Sequence, residues 1–495
     1  MSPAFGDARR STKILHRQML FHTFEFLILF AVTTVCAFAS RGRLRQAVLL
    51  AASLFFYAWG SLEYIPLFCL LILYTYGCGF VVERHKNRAL LGGIITLTFL
   101  PLLFYKYWPF LCSQIGPDFY RQMGADRIGL PIGISFYTFQ AVAYLVDVWR
   151  GDQKAERDLL SYSLFISFFP QLVAGPIERA SQLLDQIKQD FSFDYQRIVQ
   201  GLRLMAAGLF MKVFVADNIA FVVDEVYSRG ETANGLFLLI GTFLFGMQIY
   251  CDFNGYTTIA RGTARILGIE LVRNFNQPYF SKSVTEFWRR WHISLSFWFR
   301  DYLYIPLGGS RCGQARSCFN LFITFLVSGI WHGANWTFAI WGGVNGLILI
   351  VEKLLHIKKE KYSRTERIIG WLYTWIFINL AWVFFRAQTL DDALHILRRI
   401  FSDFFPTLYG LATAHIGLFE IIPSRGRFLW TLGLSLAGIF CVWAYSFYET
   451  RKGQFEVCVG QWNPWARWTL YLFLLGIALC FGAMGSKGQF IYFRF

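Results

Sequence analysis

Long apolar runs alternate with short polar and basic segments over the whole chain. Most runs are near 20 residues, enough to cross a bilayer hydrocarbon core of roughly 30 Å as a helix. They fall at 20–40, 46–60, 63–82, 89–107, 128–149, 159–175, 202–222, 236–250, 319–351, 368–385, 428–446 and 468–484. Inside lipid each backbone polar group must be paired within its own helix. The pattern therefore predicts an all-α integral membrane protein of about eleven spans, with re-entrant and interfacial helices beside them. Several runs contain Pro, Gly or a charge, as at Pro170, Gly175, Lys212 and Asp217. Such breaks are tolerated where backbone is buried in protein or lines a wet cavity. The spans are thus expected to surround a cavity.

Two segments depart from plain spanning helices. Positions 318–351 contain no Asp, Glu, Lys or Arg. As one helix this segment would be about 50 Å long, too long for one crossing. It must tilt or break, and Gly329, His332, Gly333 and Asn335 mark the break. Glycines four apart leave a bare face that another backbone can approach. A titratable side chain at this depth is a functional-site candidate, set against a neutral histidine that bonds one helix to another. The second segment, 285–300, has helical periodicity. Trp288, Trp291, Leu295 and Trp298 form one stripe, and Thr285, Arg289, His292 and Ser296 form another. Aromatic residues opposite basic ones predict an interfacial helix or a polar entrance. Arg289, Arg290 and Arg300 suit a phosphate-bearing donor. His292 is left open between a catalytic, a supporting and a surface role.

Composition adjusts this picture in a few places. The net charge is +16, but the basic residues sit in short loops between runs. That placement sets topology and meets anionic headgroups, and it argues against nucleic-acid binding. Ten cysteines form no CxxC pair and no His-Cys cluster with zinc spacing, so no metal site is expected. Basic loops at 41–45 and 84–88 place the N-terminus outside by the positive-inside rule. A basic leader at 1–18 conflicts with that rule, so Met19 is the expected start and 19–495 a single membrane domain.

Particular motifs then carry a resemblance. Leu130-Pro-Ile-Gly-Ile-Ser-Phe-Tyr, Phe169-Pro-Gln-Leu-Val-Ala-Gly-Pro-Ile-Glu178 and Gly208-Leu-Phe-Met-Lys-Val-Phe-Val-Ala-Asp-Asn218 occur in order. Tyr250-Cys-Asp-Phe-Asn-Gly-Tyr256, Phe287-Trp-Arg-Arg-Trp-His-Ile-Ser294 and Asp301-Tyr-Leu-Tyr-Ile-Pro-Leu-Gly-Gly309 follow. Trp331-His-Gly-Ala-Asn-Trp336, Trp382-Val-Phe-Phe-Arg386 and the terminal Phe490-Ile-Tyr-Phe-Arg-Phe495 complete the set. Together they resemble the membrane-bound O-acyltransferase family, in particular its bacterial branch of alginate and peptidoglycan O-acetyltransferases.

The resemblance implies a ring of helices around a tunnel in a cell (inner or plasma) membrane. It implies that His332 is the family's catalytic histidine and that His292 matches the second, upstream one. It implies acyl transfer, with acetyl-CoA as substrate donor and no bound cofactor, toward hydroxyls of an exported polysaccharide through an extracytoplasmic partner protein. Chemistry agrees: a histidine near neutral pH can take a proton from a hydroxyl and return it to a leaving group. Asn335 and the Trp331 indole are candidate donors to the oxyanion. Two alternatives stand beside this reading. One is D-alanyl or other acyl transfer to an envelope polymer or lipid; the other is transport without chemistry, which broken helices also fit.

Overall fold

The computed structural model describes residues 19–357, 363–413, 415 and 426–481. The leader at 1–18, the final motif at 490–495 and the last three positions of the 468–484 run lie outside the described residues. Among the described residues all regular structure is helical. Seven of the described helical stretches are long and apolar enough to cross a membrane, from Gly42–Arg84 to Gly426–Lys452, with Phe24–Ala39 a shorter apolar helix. Large side chains such as Phe24, Val35 and Phe440 are 74%, 69% and 74% exposed. Lipid is the natural solvent for such faces, and the chain is membrane-embedded.

The chain packs into two compact units. The first holds residues up to Met205 together with Thr257–Val272. Its helices include α1 (Phe24–Ala39), α2 (Gly42–Ser61), α3 (Ile65–Arg84), α4 (Arg88–Leu102), α5 (Ile134–Arg150) and α6 (Leu159–Ser167). Short polar residues start several of them by accepting bonds from orphan amides. Asn87 Oδ1 accepts from the Ala89 amide at 2.8 Å, and Asp158 Oδ2 from the Ser161 amide at 3.1 Å. Two predicted runs come out shorter. The run from 128 becomes helical only at Ile134, because the chain turns at Pro131–Gly133. The run 159–175 breaks at Phe168, with φ −50° and ψ 109°, and only a short helical turn, Phe169–Leu172 with Pro170 in its first positions, follows.

The second unit holds Ala206–Tyr256 and the chain from Arg273 onward. Helix α7 (Tyr195–Leu209) leads into a π-helical turn, Phe210–Ala216, and then α8 (Asp217–Ser228). Helix α9 (Gly235–Ile266) does not end near Tyr250 as the hydropathy pattern suggests. It continues through Cys251, Asp252 and Phe253, all buried, because partners distant in sequence receive its polar groups.

Two short helices follow, α10 (Val284–Arg290) and α11 (Ile293–Phe299). Next come α12 (Gln314–His332), α13 (Trp336–Leu354), α14 (Arg364–Arg386), α15 (Leu390–Ala412) and α16 (Gly426–Lys452). The predicted break in 319–351 falls between α12 and α13, which fold back on each other as a close hairpin. A Cβ on Gly329 would lie 2.3 Å from the Phe338 carbonyl oxygen and 2.9 Å from the Gly342 Cα. At the far end Lys353 Nζ donates to Ser317 Oγ. His332 therefore stands at the tip of the hairpin, and Lys353 at its open end.

Candidate active site

His332 is the last residue of α12 and is 7% exposed. Its ring meets Trp341 edge-on at 5.3 Å, Phe385 at 5.2 Å and Trp331 at 5.0 Å. The backbone leaves the helix at Gly333, and Asn335 starts the next one. Asn335 Oδ1 accepts from the Thr337 amide at 3.1 Å, while its Nδ2 donates to the Gln388 carbonyl at 2.8 Å. Asn335 is thus a helix cap and a tie to the chain after α14, and it does not line the cavity described below.

His292 lies between α10 and α11 with φ 43° and ψ 57°, the left-handed region. The single helix expected over 285–300 is broken here, and Asn274 is the reason. Its carbonyl accepts from the Ile293 amide at 2.9 Å. Its side-chain oxygen accepts from the Ser294 amide at 3.2 Å and from the Ser294 hydroxyl at 2.7 Å. The Arg290 carbonyl accepts from the Asn276 amide at 2.9 Å. A neighbouring segment takes the groups a continuous helix would have paired internally. The kink turns the imidazole inward, where it is 2% exposed and packs on Phe253 at 4.7 Å. Burial pushes its pKa down to about 3, so the ring is neutral.

Trp331 joins the two histidines. Its ring lies 5.0 Å from that of His332 and 6.4 Å from that of His292. Both histidines open onto one cavity of about 880 Å³. Leu321, Thr324, Phe325, Ser328 and His332 line it, a single stripe of α12 at three- and four-residue spacing. From Leu321 to His332 that stripe covers roughly 16 Å. Arg289, Arg300, Lys353 and His356 also line the cavity. Lys353 marks the open end of the hairpin, far along α13 from His332. Arg300 is salt-bridged to Asp301 at 2.6 Å and remains half exposed. Arg290 pairs with Glu286 at 2.6 Å and is not part of the lining.

Two groups escaped the sequence reading. Lys353 falls on the face of α13 that carries Leu349 and Glu352, a spacing visible in the sequence once the helix limits are known, and His356 follows just past the helix end with φ 52°. Glu352, 3% exposed, accepts from the Val284 amide at 2.7 Å, the Thr285 amide at 2.8 Å and the Thr285 hydroxyl at 2.6 Å. It pins the start of α10 to α13. Asn345, fully buried, similarly accepts from the Trp288 indole at 3.2 Å, fixing one cavity wall.

Known proteins share this chain's pattern. The membrane-bound O-acyltransferase family profile matches residues 153–390. A probable alginate O-acetylase of Azotobacter vinelandii is 36% identical over 416 residues, 81% of this chain and 82% of that protein. A peptidoglycan O-acetyltransferase of Helicobacter pylori is 32% identical over 93% of each chain. A teichoic acid D-alanyltransferase of Bacillus subtilis is 28% identical over 63% of this chain and 81% of that one. With the buried histidines and their cavity inside a membrane-embedded helical protein, these matches place the chain in the membrane-bound O-acyltransferase family.

Proposed function

We propose that the protein moves an acetyl group from a cytoplasmic thioester, acetyl-CoA, toward hydroxyls of an exported or cell-surface polysaccharide, with His332 as general base. The observation that carries this reading is the cavity. It follows one face of α12 from His332 to a region lined by Arg300, Lys353 and His356, with Arg289 lining it one turn before His292. Cations suit the phosphates of the donor, while the aromatic walls suit a thin apolar arm and its acyl group.

The acceptor hydroxyl reaches the thioester carbonyl beside His332. The imidazole takes the hydroxyl proton as the new ester C–O bond forms. The C–S bond then breaks, and the same proton goes to the thiolate. Atoms balance: thioester plus alcohol gives ester plus thiol. His292, neutral and across Trp331, is placed to orient His332 or the donor carbonyl. Trp331 holds the spacing of the two rings.

The acceptor sits on a polysaccharide or on an extracytoplasmic partner that hands the group on, and the membrane is the cell's inner or plasma membrane. Support for acetyl over D-alanyl transfer is the higher identity to the alginate and peptidoglycan O-acetyltransferases, 36% and 32%, than to the D-alanyltransferase, 28%.

The test compares acetyl content of the surface glycan in cells carrying the wild type or His332→Ala at matched membrane levels. Acetylation should vanish in the variant. Equal acetylation in both would remove His332 from the chemistry. Acetylation independent of the protein altogether would discard acetyl transfer.

A further inference from the structure

We propose that the buried Lys212–Asp252 ion pair is a positioning device for His292, holding α9 in the register that seats Phe253 against the imidazole. This rests on the acyl-transfer reading of the His292–His332 cavity.

Lys212 lies in the π-helical turn Phe210–Ala216, and its side chain is 3% exposed. Its Nζ is 2.7 Å from Asp217 Oδ1 and 2.7 Å from Asp252 Oδ1, carboxylates 7% and 3% exposed. Neither carboxylate lines the cavity, so acyl transfer does not call for them there. Charges at membrane depth are costly and persist when paired. The two pairs differ in what they join. Asp217 is five residues along the same segment as Lys212. Asp252 belongs to α9, so that pair ties two helices together.

The tie acts at a close crossing of the two segments. A Cβ on Gly255, one turn beyond Asp252, would lie 2.8 Å from the Gly208 carbonyl oxygen and 3.0 Å from the Lys212 amide nitrogen. Asn254 Nδ2 adds a contact to Met211 Sδ at 3.5 Å. The ion pair adds a directional contact at this crossing to those that Gly246 and Thr242 of α9 make with the Tyr279 and Tyr227 hydroxyls at 2.7 and 3.0 Å. Phe253, the next residue after Asp252, points about 100° away around α9. Its ring packs on His292 at 4.7 Å and on Phe275 at 5.1 Å. A slip of one residue would shift that ring by about 1.5 Å along the helix and turn it off the imidazole. The π-turn is what aims Lys212 at α9, in keeping with the frequent placement of such bulges near functional sites.

Asp217→Asn and Asp252→Asn separate positioning from plain stabilisation. Each leaves Lys212 with one carboxylate, so the charge count is the same in both. A role in stability alone predicts lower accumulation in membranes with kcat per folded molecule unchanged in both. Positioning predicts that Asp252→Asn lowers kcat for acetyl transfer about tenfold with donor KM unchanged, while Asp217→Asn stays within about twofold. Asp252→Glu, which restores the carboxylate, should recover part of the rate. Diethyl pyrocarbonate labelling of His292, read by mass spectrometry on solubilised protein, should be faster in Asp252→Asn than in Asp217→Asn.

Equal losses, or no loss in either, would overturn the proposal. So would an Asp252→Asn protein that fails to accumulate in membranes where Asp217→Asn does, since the pair would then serve folding. If the wild type itself transfers no acetyl group, the acyl-transfer reading fails instead, and the labelling asymmetry still decides whether the pair sets the register.

Discussion

His292 occupies an awkward position for a histidine, combining a left-handed backbone with an imidazole that is 2% exposed. Its depressed pKa has a consequence for stability with a definite sign. The unfolded ring binds a proton near its ordinary pKa of about 6.5, whereas the folded ring does so only near 3. The folded protein is therefore favoured fully above about pH 6.5 and loses that advantage as pH falls toward 3, by about 1.4 kcal/mol per unit. Asn tolerates the left-handed region and does not titrate there. His292→Asn should flatten the acid side of the unfolding midpoint measured between pH 7.5 and 5.5 in detergent. An unchanged slope would assign the acid sensitivity to other groups. His332 was legible in the sequence because it is a lone titratable group within an uncharged run. The setting of His292 was not, because its kink depends on Asn274, eighteen residues upstream and unremarkable by itself.

At the scale of elements, the α12–α13 hairpin carries His332 at its tip, and its geometry depends on contacts that allow no side chain. Gly329→Ala would place a methyl group 2.3 Å from the Phe338 carbonyl oxygen, so the helices must part. The expected cost is about 1–3 kcal/mol, the range for overpacking, with transfer activity falling alongside. Asn335→Ala, which removes the cap, should cost about 1 kcal/mol. Thermal unfolding of the purified variants beside their transfer rates tests both. A Gly329→Ala protein as stable and active as the wild type would show that the close approach is unimportant. The hairpin break was readable because glycine, histidine and asparagine interrupt an otherwise apolar run within a few residues. The extension of α9 to Ile266 was not. Asp252 reads as the start of a polar loop until Lys212, forty positions earlier, is found beside it. Hydropathy registers a charge and not its partner, so buried pairs are where a pattern of spans misplaces a boundary.

Within the second unit, the proposed reaction assigns two jobs to opposite ends of one helix face. Arg300, Lys353 and His356 line the cavity toward the open end of the hairpin, and His332 stands at the tip, with roughly 16 Å between Leu321 and His332 alone. Separation of this size makes a kinetic prediction. A cation distant from the reacting carbonyl contacts the donor equally in the ground and transition states, so its loss should raise KM and leave kcat alone. Arg300 is the suitable probe, being exposed, part of the lining and one turn before Tyr304, whose hydroxyl pairs with Ser317 at the open end. Arg300→Ala should raise the acetyl-CoA KM about fivefold or less, the range for an exposed ion pair worth up to ~1 kcal/mol. Because exposed charges are screened, the wild-type KM should also climb with ionic strength, and the variant's should climb less. Steady-state kinetics at low and high salt read both effects. A fall in kcat with KM unchanged would instead bring Arg300 next to the chemistry, and the donor would then have to lie along the cavity the other way round, with its acyl group at the basic end and far from His332.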